Sequence, residues 1–252
     1  MRLKESLKGK VALITGASSG IGEATALALA AEGATVAVAA RRADRLASLV
    51  QRIQASGVKA LALPCDMTVK AEAIKAIDDA VAQLGRIDIL VNSAGVMQAG
   101  GIENCDIDEY RRVFEINLFA TLYACKAAIP HMLAQGGGDV VNISSLAARK
   151  GNAQTSAYSA SKHALNSMTD LMRQETGNRN IRVCILMPGA TNTEVGDHIT
   201  DPKWRANIQA HVSKEGAVLP SEVADTVVFI LSLPRRVNIS EICIRPTIDT
   251  TP

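Results

Sequence analysis

Tyr158 and Lys162 lie four residues apart in the segment YSASK. Leu165, Met168 and Met172 continue the segment with helical spacing, so both side chains are predicted to project from one helix face. A nearby ammonium group favours the phenolate and lowers the pKa of a tyrosine from its usual value of about 10. Such a phenol can exchange a proton with an alcohol or ketone oxygen, which predicts acid–base chemistry at that oxygen.

Ser145 ends the segment DVVNISS, which is typical of a strand. Ligands of parallel sheets bind at the carboxyl ends of the strands, so its hydroxyl could hold the oxygen that Tyr158 protonates. Each residue also has an ordinary explanation, because tyrosines on apolar helices commonly pack, lysines commonly face solvent and serines commonly end strands. The prediction therefore rests on their occurring together.

A glycine-rich segment, TGASSGIG at residues 15–22, directly follows the apolar run VALI. Helix N-termini attract phosphate through free amide groups, and glycine lets the ligand approach the main chain. Here Gly16 would allow the bend, Gly20 the close approach and Gly22 the contact of helix with sheet. The spacing G-x-x-x-G-x-G differs from the usual dinucleotide fingerprint, and a tight turn without a ligand is the alternative.

Arg41 and Arg42 follow Ala40 at the end of the second strand-like run, VAVAA. Sites for NAD usually place a carboxylate at this point, whereas sites for NADP offer arginine to the 2'-phosphate. Two guanidinium groups without an acid therefore predict NADP. A solvated arginine pair at the start of a helix is the alternative, weakened by the glycine turn about 20 residues upstream.

The elements that must position these residues alternate along the chain. Helical stretches separate most of the apolar runs KVALIT, ATVAVAA, VKALALP, RIDILVN, GDVVNIS, IRVCILM and SEICIRP. This alternation predicts an α/β fold with a parallel sheet covered on both faces. An open doubly wound sheet and a closed eight-stranded barrel both satisfy it, and the glycine turn in the first connection favours the open sheet. No linker divides residues 1–252, which are predicted to form one domain.

Composition limits the classes of partner. The 252 residues are 48% hydrophobic, ample for a large core, and a net charge of +2 with 3% aromatics gives no reason to expect nucleic acid. Five widely spaced cysteines without a C-x-x-C pair favour neither disulfides nor zinc. No apolar run is long enough for a membrane span or signal peptide core, so we expect a cytoplasmic protein with a small-molecule partner.

These motifs, in this order and spacing, resemble the short-chain dehydrogenases/reductases. The resemblance covers nearly the whole chain through TGASSGIG, NSAG, Asn117 in EINL, Ser145, YSASK and PGATNT. It implies a Rossmann fold of about seven strands in the order 3-2-1-4-5-6-7. It also implies NADP(H)-dependent hydride transfer between nicotinamide and a ketone, an aldehyde or a secondary alcohol, hydroxy acids included, by a homotetramer or homodimer without a metal.

The resemblance assigns catalytic roles to four residues. Tyr158 would be the general acid/base, and Lys162 would tune it and bind the nicotinamide ribose. Ser145 would orient the substrate carbonyl. Asn117 would hold a water that links Lys162 to solvent, although from the sequence alone it could equally be a hydrogen bonder inside a helix.

The resemblance also implies the coenzyme contacts. Asp66 would meet the adenine amine, Asn92 and Gly95 would border the adenine ribose, and Thr193 would touch the nicotinamide carboxamide. The full implied set is Gly16, Ser18, Ser19, Gly20, Ile21, Gly22, Arg41, Arg42, Asp66, Met67, Asn92, Ala94, Gly95, Tyr158, Lys162, Pro188, Gly189, Thr191 and Thr193.

The sequence departs from the family pattern at two places. Ser93 replaces the usual asparagine of NNAG, a small polar change of little expected effect. The tail NISEICIRPTIDTTP lacks the glycine-rich ending of the ketoacyl-carrier reductases. It is more similar to the branch containing NADP-dependent serine or 3-hydroxy acid dehydrogenases and clavaldehyde dehydrogenase, which makes a role in fatty-acid synthesis doubtful.

Substrate choice is expected from residues 190–216, a polar segment that holds the only tryptophan, Trp204, together with His198 and His211. Long connections that close over ligands are commonly mobile, so this segment is expected to order on binding. Arg149 and Lys150 could attract a carboxylate, or could be a solvated pair. A nucleotide-binding regulator that kept the fold and lost the chemistry is the alternative function.

Overall fold

The computed structural model describes residues 7–151, 153–212 and 216–250. Its strands form a seven-stranded parallel sheet in the order β3-β2-β1-β4-β5-β6-β7. This order confirms the predicted doubly wound sheet and excludes the closed barrel. The strands are β1 Val11–Thr15, β2 Thr35–Ala40, β3 Ala60–Pro64, β4 Ile89–Asn92, β5 Gly138–Ile143, β6 Ile181–Pro188 and β7 Glu241–Ile244.

Helices cover both faces of the sheet. One core contains residues of α1, α2 and α8, and the other contains residues of α3, α5 and α6. The helices are α1 Gly20–Ala31, α2 Ala43–Gln54, α3 Lys70–Leu84, α4 Ile107–Phe114, α5 Ala120–Ala134, α6 Ser156–Thr176, α7 Pro202–Val212 and α8 Pro220–Leu231.

The central strand β1 explains why its sequence is apolar without alternation. Ala12 and Ile14 are buried in one core, and Leu13 is buried in the other. Successive strand side chains point to opposite faces, so a strand covered on both sides needs apolar residues at every position. The uninterrupted run VALI therefore encodes a strand in the middle of the sheet.

Strand register brings the candidate site residues to one edge of the sheet. Thr15 at the end of β1 pairs with both Ala39 of β2 and Asn92 of β4, and Asn92 pairs with Asn142 of β5. The order reverses between β1 and β4, and ligands of such sheets bind in the crevice at this reversal. The segments after β1, β2, β4, β5 and β6 all open onto this edge.

Residues 107–134 form a continuous helix in which a wider turn, Glu115–Phe119, joins α4 to α5. Its length and hydropathy would suffice to cross a membrane, although the sequence contains no uninterrupted apolar run of that length. Ala124, Ala128 and Met132 of α5 are buried in the core against the sheet. Packing against the sheet therefore accounts for the apolar residues on the buried face of α5.

The glycine turn is packed more tightly than the sequence predicts. Gly16 has φ +66°, and a Cβ atom on it would lie 2.6 Å from the amide nitrogen of Ala94. A Cβ atom on Gly22 would lie 2.5 Å from the carbonyl oxygen of Gly16, so this glycine meets the turn itself and not the body of the sheet. Gly16 thus serves both the bend and the close approach of the loop after β4.

Gly22→Ala tests this packing. Alanine is ordinarily favoured inside a helix, but the contact with the Gly16 carbonyl should outweigh that preference and lower the free energy of unfolding by about 1–3 kcal/mol. Gly177→Ala is the matched control, because Gly177 has a negative φ of −61° and nothing within 4 Å of its added Cβ atom. Urea denaturation would contradict the packing if both variants were as stable as the wild type.

Candidate active site

A cavity of about 1390 Å³ opens at the carboxyl edge of the sheet. Pockets for one drug-sized ligand typically measure about 300–1,000 Å³, so this cavity has room for a dinucleotide and a small second molecule. Most of the site residues predicted from the sequence line this cavity: Gly16, Ser18, Ser19, Gly20, Ile21, Arg41, Arg42, Asp66, Met67, Ala94, Gly95, Ser145, Tyr158, Lys162, Pro188, Gly189, Thr191 and Thr193. Gly22, Asn92 and Asn117 belong to the predicted set but do not line the cavity.

The sequence predicts Asn92 at the adenine ribose, whereas the structure places its side chain away from the cavity. Its side chain is buried, and its amide nitrogen donates to Asn142 Oδ1 at 2.8 Å and to Cys125 Sγ at 3.4 Å. Its side chain therefore ties β4 to β5 and α5 and does not reach the cavity. The next residues form the cavity wall, where the amides of Ser93 and Ala94 donate to Thr15 Oγ1.

Asn117 lies in the wide turn between α4 and α5 and is fully buried. Its oxygen accepts from the Val96 amide at 2.8 Å, and its nitrogen donates to the Val96 carbonyl and to Ser161 Oγ, each at 3.0 Å. A Cβ atom on Gly95 would lie 3.5 Å from both Asn117 Oδ1 and Lys162 Nζ. These contacts agree with the alternative that Asn117 is a hydrogen bonder inside a helix. The proposed role of Asn117 in holding a water stays a prediction.

Tyr158, Ser145 and Lys162 come together at one end of the cavity. Helix α6 carries Tyr158 and Lys162 on one face, and Lys162 Nζ lies 5.9 Å from the centre of the tyrosine ring. Lys162 Nζ donates to the carbonyl oxygen of Ile143 at 2.9 Å, at the end of β5. Ser145 Oγ accepts from the Ala147 amide at 3.1 Å, which leaves its proton free to be donated toward Tyr158.

Burial dominates the electrostatics of this group. It raises the pKa of Tyr158 above its ordinary value, and a hydrogen bond from Ser145 acts in the opposite direction. Burial lowers the pKa of Lys162 to about 8. Lys162 would therefore lose its proton before the phenol ionised. The sequence predicts a lowered pKa for Tyr158, and that direction is wrong for this structure because burial raises it. The influence of the Lys162 ammonium group on the phenolate stays a prediction.

The other end of the cavity lies between the glycine turn and the arginines after β2. Arg42 donates from Nε to Ser18 Oγ at 3.0 Å and from Nη2 to Ser19 Oγ at 2.7 Å. Arg41 is exposed on the cavity wall and has no carboxylate partner among the described residues. Asp66 also lines the cavity, and its Oδ1 accepts from the amide and hydroxyl of Thr68.

Sequence reasoning missed two contributors to the site. Glu194 lines the cavity and accepts hydrogen bonds from Arg42 and Arg45. The tail after β7 also returns to the cavity, which Arg245, Pro246, Ile248, Asp249 and Thr250 line. The run SEICIR could have predicted this return, because a last strand parallel to the others must end at the same carboxyl edge of the sheet, where the cavity lies.

The region expected to select the substrate lies partly on the cavity. His198 lines it, and the pKa of His198 is lowered mainly by burial and further by the positive charges of Arg112, Arg41 and Arg42. Arg149 and Lys150 line it as well, and Arg149 forms an ion pair with Glu241. The side chain of His211 and residues 213–215 lie outside the described part.

Metal ligands were not expected from the sequence. Within residues 7–151, 153–212 and 216–250, no group of three or more His, Cys, Asp and Glu side chains is arranged to hold a metal ion.

Lys162→Met should stabilise the folded protein at pH 7 by about 1–2 kcal/mol, because it removes a buried charge. The folded pKa of about 8 lies below the ordinary value of 10.5, so wild-type stability rises as pH increases from 8 to 10.5. The gain from methionine should therefore shrink over that range. Urea denaturation at pH 7 and 9.5 measures it.

Lys126→Met is the matched control, since Lys126 is an exposed lysine of α5, and it should change stability by less than about 0.5 kcal/mol. A Lys162→Met protein that is less stable than the wild type at pH 7 would contradict the cost assigned to burying the ammonium group.

Comparison with known proteins gives related oxidoreductases. The chain is 40% identical over 245 residues to glycine betaine reductase ATRR of Emericella nidulans; the match covers 96% of this chain but spans only 19% of that relative's length. A 7α-hydroxysteroid dehydrogenase solved with NADH and 7-oxo glycochenodeoxycholic acid superposes with a TM-score of 0.84 at 32% identity, covering 94% of this chain and 93% of that one.

A blue fluorescent protein from a metagenomic library, solved with NADPH, superposes with a TM-score of 0.83 at 33% identity, over 98% of this chain and 100% of that one. The family model described as short chain dehydrogenase matches residues 10–204. With the sheet order and the cavity at its switch point, this match makes the chain a member of the short-chain dehydrogenase/reductase family of oxidoreductases.

Proposed function

We propose that the protein is an NADP(H)-dependent oxidoreductase that interconverts a ketone or aldehyde and the corresponding alcohol, with Tyr158 as general acid/base. The observation that carries the proposal is a single cavity with two ends. One end holds the glycine turn and two arginines, and the other holds Tyr158, Ser145 and Lys162. Phosphate binding and proton transfer to an oxygen are the chemistry of these two groups.

The residues present fit a dinucleotide. Helix α1 begins at Gly20 without a side-chain cap, and the hydroxyls of Ser18 and Ser19 accept from Arg42. Its first-turn amides are therefore free to donate to a phosphate. A Cβ atom on Gly20 would lie 3.2 Å from Thr193 Cγ2, so the absence of a side chain keeps the part of the cavity between Gly20 and Thr193 open.

The choice of NADP over NAD rests on the end of β2. Related structures hold either NADH or NADPH, so the fold alone does not decide the coenzyme. Sites for NAD usually have a carboxylate at the end of β2. Here β2 ends at Ala40, and Arg41 and Arg42 follow it on the cavity wall. Guanidinium groups in place of a carboxylate at the end of β2 favour a 2'-phosphate.

The catalytic residues would act on one carbonyl oxygen. The bound coenzyme supplies or accepts the hydride. For reduction, Tyr158 would donate its proton to the oxygen, and its raised pKa keeps that proton in place at neutral pH. Ser145 would donate a hydrogen bond to the same oxygen and hold it in position. Lys162, which Ile143 fixes beside the ring, would stabilise the phenolate left behind.

Assembly, domain organisation and location belong to the same proposal. We infer that residues 1–252 work as one coenzyme-binding domain in the cytoplasm, as a homotetramer or homodimer joined through the long helices that carry Asn117 and Tyr158. Exposed apolar side chains on these helices, Phe119, Leu122 and Leu171, support such an interface. The branch of serine and 3-hydroxy acid dehydrogenases stays a prediction.

Tyr158→Phe tests the catalytic assignment. Loss of the hydroxyl should lower kcat by about 100- to 10,000-fold while NADPH still binds. The measurement is absorbance at 340 nm with a panel of ketones, aldehydes and hydroxy acids. Tyr110→Phe, the same deletion outside the cavity, is the control. Near-normal turnover by Tyr158→Phe would exclude the assignment, and binding without wild-type turnover on any compound would favour the regulator.

Arg41→Asp tests the coenzyme. A carboxylate at this position should repel the 2'-phosphate and accept from a ribose hydroxyl, shifting the ratio of kcat/KM values toward NAD by about tenfold or more. Arg111→Asp on the exposed face of α4 makes the same change in net charge away from the cavity. Equal selectivity in the wild type and the Arg41 variant would show that the phosphate site is misplaced.

A further inference from the structure

Glu194 forms the densest set of ion pairs on the cavity wall. Arg42 Nη1 donates to its Oε2 at 2.8 Å, and Arg45 Nη1 donates to its Oε1 at 2.7 Å and its Oε2 at 3.0 Å. These bonds lower the pKa of Glu194 to about 2. The carboxylate is therefore charged across the working pH range.

Arg42 is oriented by the glycine turn and not by Glu194 alone. Its Nε and Nη2 atoms donate to Ser18 and Ser19, so two of its donors are fixed over the turn. The third nitrogen, Nη1, donates to Glu194. The edge of the guanidinium group formed by Nε and Nη2 already faces the two serines, so a phosphate that made a bidentate contact with Arg42 would have to compete with Glu194 for Nη1.

Glu194 also belongs to the segment expected to select the substrate. Thr193, which lines the cavity, directly precedes Glu194. Glu194 is the first residue of the short helix Glu194–His198, whose last residue, His198, also lines the cavity. Farther along, Thr200 donates from its amide to Gln98 and accepts from the Gln98 side chain. The segment is thus anchored at one end by the arginines and at the other by Gln98.

We propose that Glu194 is a specificity-determining residue that competes with the coenzyme 2'-phosphate for Arg42, and that phosphate binding transfers Glu194 to Arg45 and moves the segment that follows. The inference rests on the proposed NADP site and assigns its selectivity to a residue outside the strand β2 region. The segment that faces the substrate would thereby respond to the phosphate that distinguishes NADP from NAD.

The strengths of the competing contacts favour this exchange. The side chains of Arg42 and Glu194 are 40% and 42% exposed, and ion pairs with such exposure contribute little net stability. A phosphate carries more charge than a carboxylate and offers three strong acceptor oxygens to a guanidinium fork. Arg45 already contacts both oxygens of Glu194, so the carboxylate keeps a partner after it leaves Arg42.

Calorimetry with two adenosine probes tests the competition. Adenosine 2',5'-bisphosphate carries the 2'-phosphate, and adenosine 5'-monophosphate lacks it. Glu194→Gln should tighten bisphosphate binding by about fivefold or more and leave the monophosphate within about twofold. Glu23→Gln is the matched control, because it removes an equal charge from an ion pair with Arg52 and should leave the ratio of the two affinities unchanged.

Arg45→Met provides a second variant of opposite sign. Without Arg45, the displaced carboxylate has lost the partner that would receive it, so bisphosphate binding should weaken relative to the monophosphate. Arg45 is exposed on α2, so this variant should fold even if the Glu194 variant does not. Equal affinity ratios in the wild type and Arg45→Met would overturn the exchange.

Trp204 reports the movement of the segment. It is the only tryptophan and lies on α7, shortly after Glu194–His198. In the wild type, the bisphosphate should change its emission and the monophosphate should not; in Glu194→Gln, much of that change should be present before ligand is added. Identical emission responses to both probes in the wild type would overturn the coupling.

The outcomes separate this inference from the proposed coenzyme. If the wild type prefers the bisphosphate, but Glu194→Gln and Arg45→Met leave that preference unchanged, the competition is wrong and the NADP site stands. If the wild type binds both probes equally and Arg42→Ala changes neither affinity, the NADP assignment and the competition both fail.

Discussion

The hydrogen bond from the Lys162 ammonium group to the carbonyl oxygen of Ile143 joins the two elements that carry the proposed catalytic residues. Ile143 ends β5, two residues before Ser145, and Lys162 lies one helical turn after Tyr158 on α6. A buried ammonium group must keep a hydrogen-bond acceptor, because leaving the charge unpaired would cost several kcal/mol, about 3–5 for a broken buried pair. This contact therefore fixes the helix against the strand, and with it the phenol against the serine.

Burial has opposite effects on the two titratable groups, and both suit proton donation. It keeps the Tyr158 phenol protonated and brings the pKa of Lys162 to about 8, nearer to the working pH. A protonated phenol beside a lysine that can hold or release a proton is suited to give a proton to a carbonyl oxygen and to be reprotonated. The stability lost by burying Lys162 is an expected cost of this arrangement.

Local sequence predicted the alternation of strands and helices because each strand is an apolar run, and the glycine turn favoured the open sheet. The strand order itself was implied by the family resemblance. The uninterrupted apolar run of β1 is visible in the sequence, and it predicts a strand that is buried on both faces. The direction of the Asn92 side chain was not predictable, because a residue at the end of a strand can face the crevice or the neighbouring strand, and the hydrogen bond to Asn142 decides this. Glu194 was missed because its partners Arg42 and Arg45 lie about 150 residues away in the sequence, a separation that local patterns do not encode.

A crystal structure of the protein with NADP⁺ and a ketone analogue tests the central spatial claim most directly. We expect the pyrophosphate at the N-terminus of α1 and the nicotinamide beside Tyr158, with the analogue oxygen within hydrogen-bond distance, about 2.6–3.2 Å, of the Tyr158 and Ser145 hydroxyls. A nicotinamide ring bound elsewhere in the cavity, or a Tyr158 hydroxyl directed into the apolar core, would contradict the claim.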